Sequence, residues 1–180
     1  MRKIVLLVFW GVMSALFSTM SGADRIYNIL YIRSYTPNTP FQSVLTKGLY
    51  KGLSKEGVKA NVTVEYLNAD YWGYNAECVI MRRICERARQ RGTDLIVTMG
   101  DEAFYDLMTC GDSLGYQLPV VAANIKYPNE ELMKDLPNVF GFTVKIDFEK
   151  LFEEMKRIFP NRKEVICLSD NSLLGRRGIK

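Results

Sequence analysis

The stretch Asp94-Leu-Ile-Val-Thr-Met-Gly-Asp-Glu102 constrains the fold more than any other part of this chain. Leu95 to Met99 is a short, mostly apolar run without polar alternation, the pattern of a strand covered on both faces. Gly100 ends the run. Asp101-Glu102-Ala103-Phe104 then opens a helix, with acids at the end that the helix dipole favours. Strand, tight turn and helix form the unit that places ligands at the carboxyl ends of parallel strands.

The remaining segments repeat that unit. Ile26–Ile32 reads as the first strand and Val62–Leu67 as the second. Val120–Asn124 and Val139–Val144 read as the fourth and fifth, around Leu95–Met99 as the third. Between them, Phe41, Val44, Leu45, Leu49 and Leu53 recur at helical spacing, with Thr39 as N-cap, Pro40 in the first turn and Gln42 closing a capping box. A second helix should run from about Ala76 to Arg91 and stop at Gly92. Phe104, Leu107 and Met108 mark the inner face of a third, and residues 125–136 hold a loop with one helical turn. Alternating strands and helices predict an α/β fold, a doubly wound parallel sheet over residues 24–145.

Asp147 should cap one more helix, with a stripe of Phe148, Leu151, Phe152, Met155 and Phe159, ending at Pro160. Glu164–Leu168 reads as a further strand. A helix and a strand alone close no second core. Residues 146–180 are therefore expected to be the start of a second lobe, begun and truncated.

Met1-Arg-Lys3 followed by apolar Ile4–Phe17 and small Ser21-Gly-Ala23 reads as a signal peptide over residues 1–23 with a cut before Asp24, favoured by its short apolar core over the alternative of an uncleaved anchor. Export to the periplasm or the extracytoplasmic side follows. No cysteine lies near the cut to take a lipid. Without Arg2 and Lys3 the chain carries 22 basic and 20 acidic residues, which gives no case for nucleic acid. Arg82, Arg83, Arg87, Arg89 and Arg91 are most simply a solvated helix end.

The chain has no histidine, so Ser-His and Cys-His catalysis and His-ligated metals are out. Cys78 and Cys85 lie about 10 Å apart by helical rise, too far for a disulfide. Neither a CxxC pair nor zinc spacing occurs, and buried free thiols are expected at all four cysteines. No phosphate-binding glycine motif is present, and no cofactor is expected.

Four groups could meet a ligand. Gly100-Asp101-Glu102 offers a close backbone approach and two acids, which serve either as base and partner or as a helix-capping pair. The loop Ser34-Tyr-Thr-Pro-Asn-Thr-Pro40 offers hydroxyls, Asn38 and the ring of Tyr35, or merely turns and caps a helix. Tyr71-Trp-Gly-Tyr74 suits a ligand wall or a packing surface. Asn124 with Lys126 could meet an acidic solute or stay solvated. Asn61-Val-Thr63 matches the glycosylation sequon but sits at the start of a strand and is discounted.

The order of these motifs resembles the periplasmic-binding-protein-like family of ABC-transporter substrate-binding type, closest to the extracytoplasmic sensor domains of bacterial histidine kinases. The resemblance spans residues 26–178. It rests on Ile29-Leu-Tyr-Ile-Arg-Ser-Tyr-Thr-Pro37, Val64-Glu-Tyr-Leu67, Asp94-Leu-Ile-Val-Thr98, Leu118-Pro-Val-Val121, Pro137-Asn-Val-Phe-Gly141 and Ile158-Phe-Pro160, with Leu168-Ser-Asp170 and Gly175-Arg176 beyond. It implies two hinged α/β lobes that close on a small solute. The cleft would be lined by Ser34, Tyr35, Asn38, Trp72, Gly100, Asp101 and Asn124, with Asp147 to Asp170 beginning the second lobe. The partners implied are a small-molecule solute and a membrane-embedded kinase or permease, and a homodimer stays open. The expected role is the sensory input of a two-component kinase, or else a free binding protein of an importer. From another class comes an exported hydrolase using Asp101 or Glu102 as base.

Overall fold

The computed structural model describes residues 25–37, 40–145 and 147–166. The expected signal segment, Asn38, the Thr39 cap and residues 167–180 lie outside the described residues, as does the side chain of Gln42.

Five strands form one all-parallel sheet: β1 (Tyr27–Arg33), β2 (Ala60–Tyr66), β3 (Leu95–Met99), β4 (Val120–Ile125) and β5 (Val139–Thr143). Their spatial order is β2-β1-β3-β4-β5, and the direction of winding reverses between β1 and β3. The helices between them are α1 (Pro40–Lys55), α2 (Tyr74–Gln90), α3 (Asp101–Cys110), the single turns α4 (Leu114–Gln117) and α5 (Glu130–Lys134), and finally α6 (Phe148–Ile158).

Alternation along the strands sorts the core onto two faces. Leu30, Ile32, Ile96, Val120 and Ala122 pack against Met81, Ile84 and Cys85 of α2 and Phe104 and Leu107 of α3. On the opposite face Ile29, Tyr31, Val97 and Met99 pack against Leu45, Leu49 and Leu53 of α1. Helices thus flank both faces, the α/β arrangement that the apolar run at Leu95–Met99 demands. That second face runs out toward β5, where Phe140 and Phe142 are 59% and 64% exposed.

Asp147 caps α6 as expected, its Oδ1 accepting from Lys150 N–H at 3.0 Å. The apolar stripe of α6 is uncovered: Phe148, Leu151, Phe152 and Phe159 are all exposed. The strand expected from Glu164 does not form over the described residues. Glu164–Ile166 is irregular and Val165 and Ile166 are exposed, since a strand needs a neighbour to hydrogen-bond. Among the described residues no helix is long and apolar enough to cross a membrane.

The expectation of free thiols is corrected at two positions. Cys78 of α2 and Cys110 at the end of α3 form a disulfide, with Cα atoms 5.2 Å apart. Cys78 and Cys85 do stand too far apart along α2 to pair, and the partner of Cys78 lies instead across the α2–α3 contact. Cys85 remains a buried free thiol, its pKa pushed up to about 11 by desolvation.

Candidate functional site

The carboxyl ends of β1 and β3 meet where the winding reverses, and there the chain is locked by Ser34. Its N–H donates to Met99 O at 3.0 Å and its carbonyl accepts from Ala69 N–H at 2.8 Å. Its Oγ accepts from Ala103 N–H, in the first turn of α3, at 3.0 Å. Gly100 precedes α3 and has no side chain to cap it, so a serine 66 positions earlier in the sequence supplies the oxygen. Gly100 itself sits at φ 101°, and a Cβ there would lie 2.5 Å from Ser34 Oγ. Glycine is required at this position twice over, for its backbone angle and for the space.

Asp101 is committed to the architecture as well. Its Oδ2 accepts from Lys126 N–H at 3.0 Å and its Oδ1 from Tyr127 N–H at 2.9 Å. The carboxylate is 1% exposed and holds the loop after β4 against the start of α3. Just before that loop, within β4, Asn124 takes the left-handed conformation (φ 59°) at an irregularity between Ala123 and Ile125. Tyr105 adds a second brace, donating to Tyr127 O at 2.6 Å and accepting from Asn129 N–H at 2.8 Å.

Glu102 faces the other way. Tyr35 Oη donates to its Oε1 at 2.7 Å, while its Oε2 is buried with no hydrogen-bond partner. Burial raises the Glu102 pKa, against the opposing pull of the Tyr35 hydrogen bond. One turn further along α3, Asp106 is pushed up to about 8, chiefly by desolvation and then by Glu77 of α2. Glu77 and Asp106 were not foreseen as site residues. The available signal was the i, i+4 spacing of Glu102 and Asp106, which puts two acids on one face of a helix with a buried apolar side.

The outer surface is made by the loops after β1, β2 and β4. Thr36 Oγ1 donates to Asp70 Oδ2 at 3.0 Å, tying the first two together. Tyr35, Thr36, Asn124, Lys126 and Tyr127 are half-buried, and Tyr71, Trp72 and Tyr74 are exposed.

The structure therefore brings Ser34, Tyr35, Gly100, Asp101 and Asn124 together at one end of the sheet. Ser34, Gly100 and Asp101 are sealed beneath the surface. Trp72 stands on the neighbouring loop, 52% exposed and outside the hydrogen-bonded set. Among the described residues no cluster of three or more Cys, Asp or Glu side chains could hold a metal ion. A recess of about 760 Å³ opens between α6 and residues 160–166, but none of its lining residues belongs to the strand-end loops.

No protein-family model matches the chain, and no curated protein matches it in sequence. Among solved structures it is similar to a conserved domain protein from Vibrio cholerae O1 biovar El Tor str. N16961, with a TM-score of 0.61 and 18% identity. The match covers 76% of this chain and 45% of that one, so the chain spans under half the length of the protein it resembles. At that identity the likeness shows the fold alone.

Proposed function

We propose that this chain is an extracytoplasmic solute-binding lobe, with the small molecule held by the loops at the carboxyl ends of its strands. One observation carries the reading: partly exposed Tyr35 and Thr36 follow β1 where the winding reverses, Asn124 and Lys126 lie at the end of β4 on the same edge, and Thr36 is tied through Asp70 to the loop that carries exposed Trp72. Crevices outside that point are where open α/β sheets take ligands, because the helices to either side part there. Hydroxyl, amide, ammonium and aromatic groups on a braced frame suit a small polar solute.

The rest of the proposal has separate supports. A Cys78–Cys110 disulfide suits an oxidising compartment, and the basic, then apolar, start of the chain suits export. The resemblance to the sensor domains of histidine kinases extends the role to the input of a two-component system, with an importer's binding protein as its near neighbour. A hydrolase is the weaker reading. Both carboxylate oxygens of Asp101 are occupied by backbone donors, and Glu102 is too deeply buried to meet a water.

Trp10 and Trp72 are the two indoles of the chain, and a Trp10→Phe background leaves Trp72 as the reporter. A panel of amino acids, small sugars and short carboxylates should contain a member that both shifts Trp72 emission and raises the melting temperature. A panel that moves neither would overturn the reading. Substrate turnover abolished by Glu102→Gln would favour the hydrolase.

A further inference from the structure

Glu77 in the first turn of α2 and Asp106 on α3 are both more than nine-tenths buried, and Asp106 hydrogen-bonds the Glu77 carboxyl. Two carboxyl groups can hydrogen-bond each other only if one keeps a proton. The charges acting on Asp106 are those of Glu77 and of Glu102 on the preceding turn of α3, all acidic. Tyr35 reaches Glu102 from the loop after β1, and Asp101, which also acts on Glu102, is held by the backbone of residues 126 and 127. Asp106 Oδ2 is buried without a hydrogen-bond partner, so a negative charge added there meets no donor placed to receive it.

We propose that Glu77 and Asp106 share a single proton as a clasp between α2 and α3, and that losing it loosens the first turn of α2. With both groups ionised, like charges face each other across a desolvated contact, and water must enter to solvate them. The neighbouring Cys78–Cys110 disulfide keeps the helices from parting. The change is therefore confined to the start of α2 and the Tyr71–Gly73 stretch that leads into it. It holds whether or not the strand-end loops bind a solute.

The direct test is a carbon-13 NMR titration of the side-chain carboxyls in the full chain. A shared proton requires one carboxyl resonance that titrates above about pH 7, far from the ordinary carboxylate range. If every carboxyl has finished titrating below about pH 6, the clasp does not exist. In parallel, the melting temperature should fall by several degrees as pH rises through the titration, and Asp106→Asn should flatten that fall. Should Asp106→Asn not fold, Glu77→Gln breaks the same pair from α2 and should flatten it too. Wild-type and variant curves that stay parallel would overturn the proposal. On the Trp10→Phe background, Trp72 emission should follow the same midpoint, and emission that is flat through it would refute the local loosening.

Discussion

Ser34 Oγ caps helix α3 by accepting the backbone N–H of Ala103 at 3.0 Å, across 69 residues of sequence and the point where the winding reverses. This bond joins the end of β1 to the start of the helix after β3. Ser34→Ala should cost about 1–2 kcal/mol, because a buried backbone donor is left without its acceptor. Urea denaturation checks it, and a loss below about 0.5 kcal/mol would mean that another acceptor replaces the hydroxyl.

Gly100→Ala should be worse, at roughly 2–4 kcal/mol, since it adds a strained left-handed residue to a collision with the capping oxygen. Removing that oxygen removes part of the collision. The Ser34→Ala, Gly100→Ala double variant should therefore lose less than the two single losses together. A double-mutant cycle measures the difference, and simple additivity would show that the 2.5 Å approach is relieved some other way.

Ser34 also marks where local sequence reading stops. The apolar run at Leu95–Met99, the acids after Gly100 and the spacing of strands and helices were legible, because each depends on near neighbours in the chain. Five strands in one parallel sheet followed. The role of Ser34 was not legible, since its partner is Ala103. A hydroxyl in a loop after a strand looks the same whether it awaits a solute or seals a helix end. Asp101 misled in the same manner, its backbone donors lying 25 and 26 positions away. The Cys78–Cys110 pair was hidden because helical spacing tests pairs within a helix, whereas this one spans two. Glu77 and Asp106 were hidden likewise, by sitting on different helices.

Asp101→Asn should destabilise the fold by about 1–3 kcal/mol although it is nearly isosteric. An amide offers one oxygen where the carboxylate offers two, so either Lys126 N–H or Tyr127 N–H must lose its acceptor. The β4–α5 loop should become the first segment to exchange its amide hydrogens. An unchanged exchange rate at residues 126 and 127 would contradict the assignment.

Reducing the Cys78–Cys110 disulfide, or replacing both cysteines by serine, should cost about 3–4 kcal/mol by the loop-entropy relation for a separation of 32 residues. The loss should be seen as a lower melting temperature in the presence of reductant. Cys85, buried and with its thiol pushed up to about 11, should resist alkylation in the native state and react on unfolding.

Glu102 gives a pH dependence of definite sign. Burial raises its folded pKa above the unfolded value, so the folded state holds the proton more tightly. Its stabilising contribution is whole below the ordinary carboxylate pKa of about 4.3 and is lost as pH rises through the folded value. Glu102→Gln keeps an oxygen for the Tyr35 hydroxyl and removes the charge. The variant should therefore match wild type near pH 4 and be the more stable of the two at neutral pH and above. Thermal melts across that range decide it, and a variant less stable at pH 8 would mean that the carboxylate has a cationic partner.

Trp72 separates binding from folding. Its ring is about half exposed and takes no part in the hydrogen bonds that lock Ser34, Gly100 and Asp101. Trp72→Ala should then leave the melting temperature within about the scatter of surface substitutions, 0.5 kcal/mol. If the solute stacks on this ring, the same change should weaken binding by about tenfold or more. Calorimetry with the solute found in the thermal screen measures it. Unchanged affinity would move the site off the β2–α2 loop and onto Tyr35, Asn124 and Lys126, whereas a collapsed melting temperature would show that the aromatic loop packs in solution against a surface it does not touch here.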